Sequence, residues 1–440
     1  MSTIFDRVDA RLARALTPSR RLTLQRPRTL VLGFLSLHTV FLFALLPTIL
    51  TGRALGDLPL YRTWAELGLE HGVWQGIDTG WVYPIGAMLP IAFAGVAGPL
   101  LYQLLWFLLT TTLNAVAVGA LTDWGRRRSG FKPAWYWLFA SFLLSPVGLL
   151  RLEGITAPLV IVGLVLLARR PVVAAVILAL ATWIKVWPAA VFLAVVTASS
   201  RRRTVVLTGA VFSVAVAASV WLLGGLHYLT AFVTEQSDRA LQLEAPITTP
   251  WVWLATLGHH GTVIYENYSI ATREVSGPGT DLVASLMTPL MFGAIAAIFV
   301  LMLVAQRRHV DDTQLLLLGS LALVSVFIVF NKVGSPQYML WLVPVVAVGV
   351  GRSWMMWRVP GVLMLAISGL TTLIFPIFYL PLIDGDLFPL LLLTVRNGLL
   401  VVLLGWSVND LARLVWAAPR REALLMARRT LPVGQGRIDE

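Results

Sequence analysis

The chain has 440 residues, 58% of them hydrophobic and 13% charged, with a mean hydropathy of +0.80. A soluble domain is about half apolar and a quarter charged, so soluble globular domains are excluded and a polytopic membrane protein is implied. Cysteine is absent, which rules out disulfides, thiolate metal sites and cysteine nucleophiles, and the net charge of +12 has to be placed along the chain before it is read as nucleic-acid affinity.

Residues 1–29 form a basic N-terminal segment. The apolar run 30–50 is too long for the core of a cleaved signal, and no small-x-small site follows, so it is expected to stay as a first span. A first external loop, 51–83, comes next. From Gly56 to Pro84 the chain reads GDLPLYRTWAELGLEHGVWQGIDTGWVYP: an acid, Asp57, at the membrane boundary, a short amphipathic segment, then Tyr83-Pro84. Asp57 has two readings. It is either the N-cap of an interfacial helix, accepting from N–H groups two or three residues on, or a catalytic carboxylate.

Further apolar stretches run over 84–98, 101–122, 134–150, 155–168, 171–185, 188–200, 204–225, 282–306, 313–330, 336–351, 359–380 and 387–408. A span needs roughly 20 apolar residues, so the shorter stretches are broken, re-entrant or extended through their polar ends. Gly98-Pro99 makes 84–122 a kinked span or a half-span plus a span, and merging the two gives twelve spans. The large external loop 226–281 begins with helical periodicity. Gln236, Arg239 and Gln242 would share one face of a helix lying along the interface, ended by Pro246 and Pro250. Trp251 and Trp253 suit an interfacial belt. His259-His260 has no second cluster at ligand spacing, so no metal is assigned. A basic tail, 409–440, closes the chain.

With a cytoplasmic N-terminus, 26 of the 34 Lys and Arg fall in inside segments, which explains the positive charge without nucleic acid. The other eight are Arg53, Arg62, Arg151, Lys185, Arg239, Arg273, Lys332 and Arg396. Each alone is as readily a snorkelling side chain as a functional one. Arg53 near Asp57, Arg151 beside Glu153, Lys185 in TWIKVWP and Lys332 in NKVGSPQY all fall at polar junctions on one expected face, and that grouping favours a site. No P-loop, dinucleotide fingerprint, Gly-x-Ser-x-Gly or His-Glu-x-x-His occurs, so ATP, NAD, serine-hydrolase and zincin chemistry lack support.

An acid just after the first span, with interfacial segments behind it, resembles the GT-C glycosyltransferases. More narrowly, the chain resembles the actinobacterial polytopic members of glycosyltransferase family 87, which include polyprenyl-phosphate-mannose-dependent mannosyltransferases. The pieces that carry the resemblance are Gly56-Asp57 to Tyr61, Tyr83-Pro84, Ile184 to Pro188, Gln236 to Glu244, and Ser335 to Tyr338 with Trp341, within residues 30–410. Mannosyltransferases of this family often carry paired histidines a few residues after a Ser-Pro in a late external loop; here that place reads SPQYMLW. The resemblance implies an all-α, GT-C-like bundle of about 12 transmembrane helices over residues 30–408, with extracytoplasmic interfacial helices. It implies a polyprenyl-phosphate sugar donor and a glycolipid or cell-envelope glycan acceptor; the residues themselves offer no cofactor motif and no metal-ligand set.

A lipid donor leaves as a phosphate and needs cations to hold it; Lys185, Lys332 and Arg151 are placed for this, with Arg239 as a fourth. Asp57 is the expected general base, and one base with direct displacement predicts inversion. Glu153 and Glu244 are expected to take sugar hydroxyls or to pair with Arg151 and Arg239. Tyr61, Tyr83, Trp187, Trp251 and Tyr338 are candidate sugar-lining aromatics, each also readable as an interfacial belt residue, and Gln242 and Gln337 complete the sugar and acceptor set. Two rivals stand beside this reading. A transporter or flippase predicts mid-span charges, for which His38 and Arg396 are the main candidates, and an internal repeat. A non-enzymatic scaffold predicts indifference to loss of Asp57, Lys185 and Lys332.

Overall fold

The computed structural model describes residues 6–7, 10–11, 14, 17–145, 147–235, 239–268 and 272–430, with side chains as far as Trp416. The main helices are α1 (Pro18–Leu24), α2 (Pro27–Leu50), α3 (Leu58–His71), α4 (Met88–Gly95), α5 (Tyr102–Thr122), α6 (Phe131–Leu143), α7 (Glu153–Leu166), α8 (Pro171–Ile184), α9 (Pro188–Ala198), α10 (Arg202–Leu222), α11 (Thr249–Thr256), α12 (Thr280–Arg307), α13 (Asp312–Val329), α14 (Met339–Arg352), α15 (Trp354–Thr372) and α16 (Leu387–Thr430). Between α11 and α12 lies an antiparallel hairpin, β1 (Val263–Asn267) with β2 (Thr272–Ser276), in which Tyr265 faces Glu274.

Seven helical segments among the described residues are long and apolar enough to cross a membrane, which makes this a multi-pass membrane protein: 27–50, 99–122, 202–222, 280–307, 312–329, 354–377 and 387–416. The expected twelve is not reached, and the reason is length. Helices α6, α7, α8, α9 and α14 have 11 to 14 residues. At 1.5 Å per residue they are about 17–21 Å long, short of a hydrocarbon core of roughly 30 Å. Residues 84–122 resolve as the half-span and span, parted at Gly98.

Prolines set several of the breaks. Pro171 and Pro188 stand at the first position of α8 and α9, where the missing N–H costs nothing. Lys185 is held extended between those helices. At the bundle centre α13 packs against α9, α12, α14 and α16. Every residue from Leu315 to Val326 is buried, as a helix that is apolar all round requires. The lengths of α10 and α12, in contrast, are mostly exposed apolar surface, suited to lipid.

The external loop corrects the sequence reading. Gln236 lies outside the described residues, and among the described residues of this stretch helix is limited to the short turns Leu226–Tyr228 and Ala231–Thr234. Arg239 is not helical, and Leu241–Leu243 runs extended alongside β2: Val275 N donates to Leu241 O at 2.9 Å and Leu243 N to Arg273 O at 3.0 Å. Gln242 therefore shares no helix face with Arg239. Pro250 opens a helix, α11, rather than ending one.

Candidate active site

Four junctions meet at one end of the bundle: the α2–α3 turn, the α6–α7 turn, the α8–α9 break and the α13–α14 loop. Close backbone approach brings them together. At Gly86 a Cβ would sit 2.6 Å from the carbonyl oxygen of Trp183, so only glycine lets the Tyr83–Gly86 stretch lie on the end of α8. Tyr83 is thereby set against the Lys185 ammonium, 5.1 Å from the ring centre, with Tyr338 from the α13–α14 loop at 5.9 Å.

Asp57 occupies the N-cap position of α3 but makes no side-chain capping bond. Its carboxylate is turned elsewhere. Oδ1 forms an ion pair with Arg151 Nη1, and Oδ2 accepts from the Tyr61 hydroxyl at 3.3 Å. The Asp57 side chain is 25% exposed and that of Arg151 13%, so the pair is partly open. Tyr61 is fully buried, packed by Trp64, Tyr83 and Trp106. Burial, with Tyr83 and the Asp57 carboxylate beside it, pushes its hydroxyl well above the ordinary phenol range, so Tyr61 stays a donor and is no rival base.

Two residues past Arg151, Glu153 is fully buried and has a different partner. Oε1 meets Lys185 Nζ at 2.5 Å and accepts from Trp341 Nε1 at 3.3 Å. Trp341 stacks on Tyr338, with ring centres 4.0 Å apart, and lies parallel to Trp187 at 5.9 Å. Three buried polar atoms of this neighbourhood have no partner among the described residues: Glu153 Oε2, Gln337 Oε1 and Arg239 Nε. Each unmet buried group costs about 1–3 kcal/mol, so two acceptors and one donor beside one ion pair are the marks of a place for a polar ligand.

The expected partnerships are therefore rearranged. Glu153 pairs with Lys185 rather than Arg151, and Glu244 with Arg396 at 2.9 Å rather than Arg239. Arg151 takes Asp57. Lys332 is buried in the α13–α14 loop, where its main-chain oxygen accepts from Gln242 N at 3.0 Å. Gln242 is buried beside it, and Glu244 lies within electrostatic reach of Arg151. Arg62 and Arg273 turn away, to Glu66 and Glu266. Trp251 donates to Pro278 O, outside the cluster.

Sequence reasoning missed Gln103, a buried residue of α5. Its amide donates to Thr48 Oγ1 at 2.6 Å and accepts from Leu55 N at 2.9 Å, holding the turn that carries Asp57. Its one signal was an amide inside an apolar run. A cavity of about 250 Å³ opens at the opposite end of the bundle, between Arg127, Leu317 and Arg352, but no carboxylate lines it to serve as a base.

Fold and cluster together define a multi-pass membrane protein whose polar site is built from loop junctions at one end of its bundle. Residues 81–330 match glycosyltransferase family 87, more than half of the 440 residues, and the chain belongs to that family: it is a membrane glycosyltransferase. Comparison with curated proteins and with solved structures gives no match. The family match includes Tyr83, Arg151, Glu153, Lys185, Arg239, Gln242 and Glu244, and leaves Asp57, the Lys332–Tyr338 loop and Arg396 outside it. Family membership sets aside the transporter and scaffold readings.

Proposed function

We propose that the protein moves one sugar, mannose by its family resemblance, from a polyprenyl-phosphate donor to a glycolipid or cell-envelope glycan acceptor. The reaction takes place at the extracytoplasmic face of the cell membrane, and both termini are cytoplasmic. The distribution of Lys and Arg supports that orientation. Asp57 is the general base. The acceptor hydroxyl gives its proton to the carboxylate as its oxygen attacks the anomeric carbon. The bond from that carbon to the phosphate oxygen breaks, and the polyprenyl phosphate leaves with the electron pair. Asp57 then releases the proton to water.

The observation that carries this reading is the partly open Asp57 carboxylate, free of its capping duty and oriented by Arg151 and Tyr61. Arg151, paired with it, and Arg239, within electrostatic reach of Tyr338, are the cations for the donor phosphate, with Lys332 from the neighbouring loop. Lys185 is committed to Glu153 and acts on the phosphate as part of that pair. Glu153 Oε2 and Gln337 Oε1 accept from sugar hydroxyls, and the rings of Tyr83 and Tyr338, set against Lys185, line the sugar. Glu153 is sealed against Lys185 and is a poor nucleophile, so a single displacement with inversion is expected.

The test is to give purified protein a polyprenyl-phosphate sugar of known anomeric configuration and a glycolipid acceptor. A product heavier by one sugar, with the new linkage inverted, is expected. A retained linkage, or no transfer from any polyprenyl-phosphate sugar by folded protein, would sink the proposal.

A further inference from the structure

Arg396 lies in α16, the last membrane-length helix, and its side chain is 1% exposed. A guanidinium at that depth has to be met by protein. Here each of its three nitrogens has a partner. Nη1 donates to Glu244 Oε2 at 2.9 Å, Nη2 to Glu244 O at 2.7 Å, and Nε to Asn397 Oδ1 at 3.1 Å. Asn397 Nδ2 in turn donates to Thr249 Oγ1 at 2.8 Å, and Trp253 Nε1 donates to Thr394 Oγ1 at 2.9 Å. One stretch of α16 thus grips the strap 241–253 through four hydrogen bonds, at Glu244, Thr249 and Trp253.

The strap reaches in two directions. Alternate backbone groups of an extended chain point to opposite edges. On one edge Leu241 and Leu243 bond to β2; on the other Gln242 N bonds to Lys332 O. The strap is also pressed on the α13–α14 loop: a Cβ on Gly334 would lie 2.2 Å from Ala245 N. That loop carries Gln337 and Tyr338 to Lys185. Leu243, Val252 and Val275 pack with Leu390 and Leu393 in a small core of their own, separate from the cores of the bundle. Strap and hairpin are therefore one unit, seated on α16 through Arg396 and touching the candidate site through residues 332–334.

We infer that Arg396 is a positioning residue: by fixing Glu244 through both side chain and main chain, it sets the strap, and through the strap the loop that presents Gln337 and Tyr338 to the donor. A buried ion pair adds little stability over apolar packing of the same volume, so its contribution is a defined geometry. The positional part of this inference is independent of the proposed chemistry; the kinetic part rests on it.

The test compares Arg396→Lys, Arg396→Met and the double variant Arg396→Met with Glu244→Met, which fills the site with apolar groups. The chain has no cysteine, so spin labels at Val263→Cys in β1 and Leu222→Cys at the end of α10, both exposed, report the seat of the unit against the bundle. A narrow distance distribution in the parent should broaden or shift in the folded double variant and recover in part in Arg396→Lys. In the transfer assay the KM for the donor should rise about 10-fold with kcat little changed. An unchanged distance distribution in the folded double variant overturns the inference whether or not transfer is detected. Failure of all three variants to fold overturns it too, in favour of a purely structural role. A changed distance without measurable transfer in the parent upholds the positioning and sinks only the proposed chemistry.

Discussion

Arg151 and Glu153 are two residues apart, yet they belong to two ion pairs of different character. Arg151–Asp57 is partly open, and one Asp57 oxygen has only a 3.3 Å contact from Tyr61. Glu153–Lys185 is closed in by Trp341, Tyr83 and Tyr338, with the Glu153 side chain wholly buried. An open pair can exchange a partner for substrate at small cost, because solvent already shares its charge. A sealed pair cannot, because parting it leaves a charge in a poor solvent. The open pair serves the chemical step, and the sealed pair stays intact and serves donor binding, through the one Glu153 oxygen it leaves unmet.

That contrast can be broken at several points. Glu153→Gln or Lys185→Met should each destabilise the protein by about 3–5 kcal/mol, read as a large drop in melting temperature in detergent. Replacing both by methionine should restore most of the stability but not donor binding. If the single variants melt like the parent, the pair is not sealed. Arg151→Lys keeps the charge and loses the fork that can serve Asp57 and a phosphate together. Polyprenyl-phosphate affinity should fall about 10-fold with the melting temperature nearly unchanged. Gln337→Met removes an unmet buried acceptor, so it should leave stability the same or slightly higher while donor sugar binding weakens by about 1–2 kcal/mol. A gain in affinity would show that Gln337 faces no hydroxyl. The smallest effect is expected at the opposite end of the bundle. There Arg352 holds exposed Asp311 at 2.9 Å, and Arg352→Ala should change stability by less than about 1 kcal/mol and leave transfer intact.

Much of the site was legible because membrane chains carry few charges. Asp57, Arg151, Glu153 and Lys185 each interrupt apolar sequence at a junction, and the structure gathers all four. Their partnerships were not legible. Neighbours in sequence, Arg151 and Glu153, pair with residues 94 positions back and 32 positions ahead, which only helix packing decides. Arg396 stood out as a cation within a span, but its partner is 152 residues away. The count of twelve spans is not confirmed where short helices end at the site, since hydropathy marks apolar sequence without measuring whether a helix reaches across. The hairpin went unseen because Val263–Asn267 and Thr272–Ser276 are short, mixed segments within a loop read as helical at its start.

The contrast between the two carboxylates is tested most directly by single-turnover transfer with donor already bound, comparing Asp57→Asn and Glu153→Gln in folded protein. Asp57→Asn should bind donor normally and slow the chemical step by about 10²–10⁴, while Glu153→Gln should act through donor binding and leave the step itself within about 10-fold. A chemical step that survives in Asp57→Asn, or that vanishes in a folded Glu153→Gln protein with donor bound, would contradict the assignment of the base.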